Sequence, residues 1–288
     1  MSQLVLFDAP GPRARRRMVW VNVVATLAVA GVGAWALVLL GQKGQLSADK
    51  WQVFLTANPW TNFFIPGLIS TLKAAAVAIV TSALFGILFG LGRLARSRAV
   101  RTVSSVVVEF FRAVPVLLMM IFFWLWISRL GIVSPNDVPF IGVVLGLTFY
   151  NGSVFAELVR SGVHGLPRGQ REAALAIGLR RSQSLRLVEV PQALIAMLPA
   201  IASQLVVILK DTALGYIITY PELLQAARQF GAGQGNILQS LLVAAVIFIV
   251  INYALTKVAE RLAGRVGRRT AGRAAKAEAP TLVVDTGR

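Results

Sequence analysis

Six ionisable residues stand inside otherwise apolar stretches of this sequence: Lys73, Glu109, Arg112, Glu157, Lys210 and Asp211. A charge in such a setting is expensive, so each is a functional hypothesis by default. Glu109 and Arg112 lie three apart, share a helical face and can pair. Lys210 and Asp211 are adjacent and point in different directions, so each calls for a partner from another helix. Two roles are open to such groups. One is structural ion pairing near helix ends, with long Lys and Arg stems reaching the interface; this suits Lys73, Glu109 and Arg112. The other is a polar cavity that receives a ligand, which suits Lys210 and Asp211, set deeper and followed by Thr212. Catalysis finds little support. There is no cysteine, hence no disulfide framework, thiolate metal site or thiol nucleophile. The lone histidine, His164, reads as a solvated loop residue. No G-x-x-x-x-G-K-[ST] occurs, so no P-loop binds ATP, and no Ser–His–Asp arrangement stands out.

Those charges need elements that hold them in apolar surroundings. The chain has 288 residues, 56% hydrophobic and 14% charged, where soluble domains are about a quarter charged. A bilayer core of about 30 Å takes about 20 apolar residues of helix. Six stretches qualify, at about 18–41, 62–92, 103–129, 138–160, 192–220 and 238–260. Pro66, Pro115 and Pro199 fall within or at the start of spans, which membrane helices tolerate where neighbours satisfy the freed backbone groups. Gly86, Gly90 and Gly92 read as small-residue helix contacts. The first span carries no charge from Met18 to Leu40 and is too long for a signal-peptide core, so it reads as a retained helix. No inverted repeat of the secondary-transporter kind is present. Residues 263–288, rich in Ala, Gly and Arg, read as a disordered basic tail.

The net charge of +17 is distributed by position. Arg13 and Arg15 to Arg17 precede the first span. Arg93, Arg96, Arg98 and Arg101 separate the second from the third. Arg160, Arg168, Arg171, Arg180, Arg181 and Arg186 follow the fourth, and a further basic cluster follows the last. The alternate connections hold only Lys43, Lys50, Arg129 and Arg228. This is the positive-inside pattern and predicts both termini, with the 1–17 tail, in the cytoplasm. It accounts for the charge without nucleic acid.

The longest connection on the basic side, 161–191, contains HGLPRGQREAALAIGLRRSQSLRLVEVP. Pro167 suits a helix start. Glu172 sits near that helix's positive end. Ala173, Ala174 and Ile177 are expected on one face, and Gly178 is a left-handed terminator. Such a helix could lie on lipid, but a partner's groove is its natural use.

The residues also carry a resemblance. Glu172-Ala173-Ala174, then Gly178, then Val188, Val190 and Pro191 resemble the E-A-A…G…I-x-L-P loop of bacterial ABC importer permeases. Phe111 to Pro115 resembles the F-R-G-T-P segment of the polar amino acid permeases, and Leu209 to Leu214 their L-K-D-T-S-L segment. Phe155 to Arg160, with Gly169-Gln170, resembles their Y-x-A-E-x-x-R and P-x-G-Q pieces. The likeness covers about 62–259. Departures fall at Ala113, Val114, Ala213 and Asn151 to Ser153, near the translocation route. The stretch from Val5 to Arg13 resembles the start of actinobacterial glutamate permease subunits.

The resemblance implies an all-α integral membrane fold: a five-helix permease core over 62–262, with an additional N-terminal transmembrane helix at its edge. It implies no cofactor and no catalysis by this chain, since ATP is hydrolysed by a separate subunit. The partners it implies are an ATP-binding ABC subunit pair, a second permease in a favoured heterodimer, an extracellular solute-binding protein and membrane lipid. Gly169, Gln170, Glu172, Ala173, Ala174, Ile177, Gly178 and Pro191 are the implied ATPase-coupling residues. The implied substrate is a polar amino acid, glutamate above aspartate or glutamine. Asp211 would meet its ammonium, Lys210 its carboxylate and Arg112 a second carboxylate. Thr212, Glu109 and Glu157 complete the candidate pathway. An ion-driven transporter or channel would also explain buried charges, but not the Glu172–Pro191 loop; a non-transporting scaffold or sensor is the other alternative.

Overall fold

The computed structural model describes residues 11–277, with side chains through Arg265. The Val5–Arg13 likeness therefore falls largely outside the described residues, as does the tail beyond Ala277. The chain divides at Ala57 into an N-terminal unit and a larger unit that begins at Asn58. The N-terminal unit is helix α1 (Pro12–Gln42) and a short helix α2 (Ala48–Gln52). Proline opens α1, where its missing N–H costs nothing. Residues 12–17 of the basic N-terminal stretch are thus helical. The body of α1 is apolar all round, as a lipid-facing span must be.

The larger unit is helical, with no strand among its described residues. Its elements are α3 (Ala57–Arg93), α4 (Arg98–Ala113), α5 (Val116–Leu130), α6 (Val138–His164), α7 (Arg168–Ala176), a run of α and π turns over 181–196 (α8), α9 (Leu198–Asp211), α10 (Leu223–Gln234) and α11 (Ile237–Ala277). α9 continues as a tight 3-10 turn over Thr212–Ile218. Helix α11 passes the 262 boundary and keeps its backbone helical to Ala277, where composition alone suggests disorder.

Among the described residues five helices, α1 among them, are long and apolar enough to cross a membrane. The stretch at 103–129 is not one straight span. It is α4 and α5, bent by 100° at Val114-Pro115. Proline lacks the N–H that a continuing helix needs and pushes the residue before it to extended backbone. Val114 accordingly has φ −83° and ψ 128°.

α6 is the central strut. It runs parallel to α3, with Thr81 and Ser82 level with Thr148 and Leu147, and Gly90 level with Val159. Small residues let the two backbones approach closely. A methyl group on Gly86 would lie 3.1 Å from the Gly152 carbonyl and overlap the Phe155 Cβ; one on Gly152 would sit 2.7 Å from the Phe85 ring. Thr81 and Thr148 hydroxyls share a 2.5 Å hydrogen bond across the seam. α5 and α9 pack antiparallel to α6, through Met120 on Gly146 and through Val143 on Gly215. The core at this junction is Ala78, Met120, Val143, Leu147, Ile208 and Ile218. A second cluster stacks Phe149 of α6 between Phe111 and Phe123, at centroid distances of 4.5 and 5.2 Å.

α10 packs beside the start of α3, where Gly67 meets Leu223 and Ala226. Glu222 caps it. Its fully buried carboxyl accepts the N–H groups of Leu224 and Gln225, both at 2.7 Å. Burial outweighs those two bonds and raises this carboxyl from 4.5 to about 7.

Two expectations follow from these contacts. Gly86→Ala should destabilise the folded protein by about 1–3 kcal/mol, because the overlapped atom is a Cβ fixed to the α6 backbone; thermal unfolding in detergent reads this, and an unchanged midpoint would contradict the seam. For Glu222, the folded state holds a proton between about pH 4.5 and 7 where the unfolded chain does not. Stability should therefore fall as pH rises through that window and level off above it. Glu222→Gln should flatten the decline, as melting measured across the window will show.

Candidate functional site

The loop between α6 and α9 is built as an outward helix on a buried root. Pro167 stands in the cap position, and α7 begins at Arg168. The helix ends on Gly178, whose φ of +85° favours glycine. The Leu179 N–H returns to the Ala174 carbonyl at 3.2 Å, closing the left-handed cap. Glu172, Ala173 and Ile177 are exposed, with Ile177 at 79%. Ala174 is 4% exposed and turned toward the protein. The single face expected for Ala173, Ala174 and Ile177 is therefore two faces, since consecutive residues lie about 100° apart around a helix.

Gly169 and Gln170 occupy the first turn, and Gln170 accepts a 3.1 Å hydrogen bond from Gln192 of α8. Pro191 is exposed on α8. Below them Glu189, 4% exposed, pairs with Arg181 and accepts the Ser184 hydroxyl at 2.7 Å. A buried carboxylate satisfied in this way resists any change that removes one partner. Neither Glu189 nor its pairing with Arg181 was evident from sequence. The available signal was a lone acid in the apolar run Leu185–Val190.

Three of the buried-charge candidates meet. Glu109 and Arg112 of α4 and Glu157 of α6 form a cluster with Arg93, the last residue of α3, and Arg160 of α6. Arg93, with its side chain 8% exposed, reaches both Glu109 and Glu157 at 2.9 Å. Arg160 holds Glu157 at 2.6 Å, while Arg112 stands farther off, 3.5 Å from Glu109 and 3.7 Å from Glu157. Glu109 and Arg112 do pair, as their spacing suggests. The cluster sets three guanidinium groups against two carboxylates. Arg93 and Arg160 read from sequence as loop residues, yet both are helical and bind the acids most tightly. Beside them Glu109, Arg112, Ala113, Tyr150 and Val154 line a cavity of about 330 Å³.

Lys210, Asp211 and Thr212 lie elsewhere. Asn151 and Gln204 bridge α6 and α9 at 2.6 Å. Glu157 is six residues beyond Asn151 toward one end, and Lys210 six beyond Gln204 toward the other. At 1.5 Å per residue the two charge sets are roughly 18 Å apart along the bundle. Lys210 is exposed and Asp211 half-buried, and among the described residues neither has an ion pair or hydrogen bond to its side chain. Thr212 is buried and donates to the Leu209 carbonyl at 2.6 Å, closing a local turn. The Lys73 ammonium lies 4.7 Å from the Phe140 ring centre. His164 is not in a loop; it ends α6, exposed, with Nδ1 2.8 Å from the Arg160 carbonyl oxygen.

This arrangement of bundle and projecting helix has known counterparts. Residues 82–269 match the family described as binding-protein-dependent transport system inner membrane component. The chain is 43% identical over 238 residues to the glutamate transport system permease protein GluD of Corynebacterium glutamicum, covering 83% of this chain and 86% of that one. It is 29% identical over 218 residues to the glutamate/aspartate import permease protein GltK of Escherichia coli, covering 74% and 96%. The crystal structure of an amino acid ABC transporter with histidines superposes with a TM-score of 0.66 at 26% identity, over 74% of this chain and 98% of that one. The chain belongs to the inner-membrane components of binding-protein-dependent transport systems, the permease subunits of ABC importers.

Proposed function

We propose that this permease subunit imports glutamate, or a related polar amino acid such as aspartate or glutamine, and that α7 couples the bundle to ATP hydrolysis by a separate subunit pair. The observation that carries the coupling role is the construction of the loop. Glu172, Ala173 and Ile177 are exposed, with no partner surface among the described residues, while Ala174, Arg181 and Glu189 root the loop to its neighbours. A rooted helix moves as one body when a docked partner moves. The basic connections at that end favour a cytoplasmic position, with both termini on the same side. Closure of the ATPase pair would then favour one bundle state by its differential affinity for that state, which is the energetic content of alternating access. A second permease copy or relative completes the pathway, a heterodimer being the favoured form, and an external binding protein delivers the substrate.

Names of relatives that include glutamate favour an acidic amino acid. Asp211 and Lys210, adjacent opposite charges that no other helix binds among the described residues, are suited to its ammonium and α-carboxylate, with Thr212 beside them. Arg112, the least tightly held arginine of the cluster, is suited to the second carboxylate farther along. Glu109 and Glu157 hold that arginine in place.

The decisive experiment reconstitutes the permease in nanodiscs with its ATPase, partner permease and binding protein. Glutamate should stimulate ATP hydrolysis. Glu172→Lys and Gly178→Asp should each reduce that stimulation by about tenfold or more, a loss of roughly 1.4 kcal/mol or more of coupling. Stimulation that survives both changes in folded protein removes the coupling role. In the same system Lys210→Gln or Asp211→Asn should lower glutamate uptake by about tenfold. Uptake at the wild-type rate would take these residues off the pathway.

A further inference from the structure

A second cavity lies at the end of the bundle that carries the loop helix. It has a volume of about 680 Å³ and is framed by the α3–α4 corner on one side and by α7 and the start of α8 on the other. Five arginines line it: Arg96, Arg101, Arg171, Arg180 and Arg181. Among the described residues no acidic side chain lines it. Of the five arginines, Arg181 is held by the buried Glu189, and Arg101 reaches the Ala95 carbonyl at 3.4 Å. Among the described residues Arg96, Arg101, Arg171 and Arg180 form no ion pair, so the cavity concentrates positive charge that they leave unbalanced.

The rest of the lining is apolar: Leu94, Ala95, Leu175 and Leu179. On α7, Arg171 and Leu175 are four apart and so face this cavity together, while Ala173 and Ile177 lie on the other flank and Glu172 points outward between the two. Leu94 and Ala95 follow the last turn of α3 and open the arginine-rich connection to α4, so on the cytoplasmic reading of that connection the cavity faces the headgroup zone. An anion placed there would meet guanidinium forks above and apolar surface beside it. Arginine matches phosphate oxygens with paired donors, and basic pockets beside transmembrane helices on the cytoplasmic face are suited to anionic headgroups.

We propose that this cavity binds the phosphate-bearing headgroup of an anionic phospholipid, with Arg96, Arg101 and Arg180 holding the phosphate and Leu94, Leu175 and Leu179 flanking the glycerol and upper chain. The inference rests on the reading of the loop end as cytoplasmic. It places a lipid beside α7 without using its outward face. Bound lipid would brace the loop helix against the α3–α4 corner, making the coupling element dependent on membrane composition.

The test is lipid retention by the purified full-length permease, measured by native mass spectrometry after exchange into phosphatidylglycerol-doped phosphatidylcholine micelles. The wild type should retain phosphatidylglycerol. The triple variant Arg96→Gln/Arg101→Gln/Arg180→Gln should bind it about a hundredfold more weakly, taking about fivefold for each cation lost. The triple Arg→Lys variant should keep most of the binding, which separates loss of charge from loss of fold. Ile177→Ser, on the far flank of α7, should retain the lipid as the wild type does while weakening a docked partner, so that failure here and failure of the coupling reading give different results. Equal retention by the Gln variant overturns the proposal. So does displacement of the lipid by millimolar inorganic phosphate, which would assign the cavity to a soluble anion. A Gln variant that keeps lipid but no longer holds the ATPase pair overturns it as well, giving the cavity to an acidic surface of that partner.

Discussion

The close approach of α3 and α6 is the constraint on which the larger unit depends. Two backbones come near enough only because Gly86, Gly90 and Gly152 present no side chain at the crossing. In a membrane no hydrophobic force drives helices together, so tight van der Waals contact and a few hydrogen bonds must do so. The Thr81–Thr148 pair and the Ser82 hydroxyl on the Leu147 carbonyl supply those bonds in the same seam. Once α3 and α6 are fixed, their ends bring Arg93 beside Glu157. The outer surfaces of α6 then receive α5 on one side and α9 on the other. The charge cluster, the Asn151–Gln204 bridge and the root of the loop helix all inherit their geometry from this pair.

The two charged regions serve different physical ends. In the Arg93 cluster every acid is held by at least two arginines, and the group ties three helices together. Lys210 and Asp211, by contrast, sit at another depth, Lys210 exposed and Asp211 half-buried, and among the described residues neither side chain is held by an ion pair to another helix. The loop helix shows the same division at smaller scale. Its inward side, Ala174 with the nearby Arg181 and Glu189, is satisfied within the chain, whereas its outward side is not.

Much of this was legible in the sequence. Apolar runs located the long helices, and Gly178 marked the end of α7 because a left-handed cap demands glycine. The grouping of Gly86 and Gly90 on one face also signalled a close helix contact. Other features were not legible, for physical reasons. Hydropathy summed over 103–129 is blind to direction, so it merged two helices that Val114-Pro115 turns through a right angle. The partnership of Arg93 with Glu157 joins residues 64 apart in the chain, and no local spacing encodes it. Ala174 was assigned to the wrong side because alanine carries little signal of its own. Glu189 escaped notice because its value lies in Arg181 and Ser184, which reach it only across a π turn.

The elbow at Val114-Pro115 bears on how the protein is made. α4 has 16 residues and α5 has 15, so each is roughly 23 Å long and shorter than the apolar thickness of a bilayer. Neither can settle across the membrane as an independent rod during synthesis. α5 finds its support in Gly142 and Gly146, which accept Trp124 and Met120 and which leave the ribosome after it. The packing that holds this elbow is thus complete only once α6, which follows it in the chain, is in place.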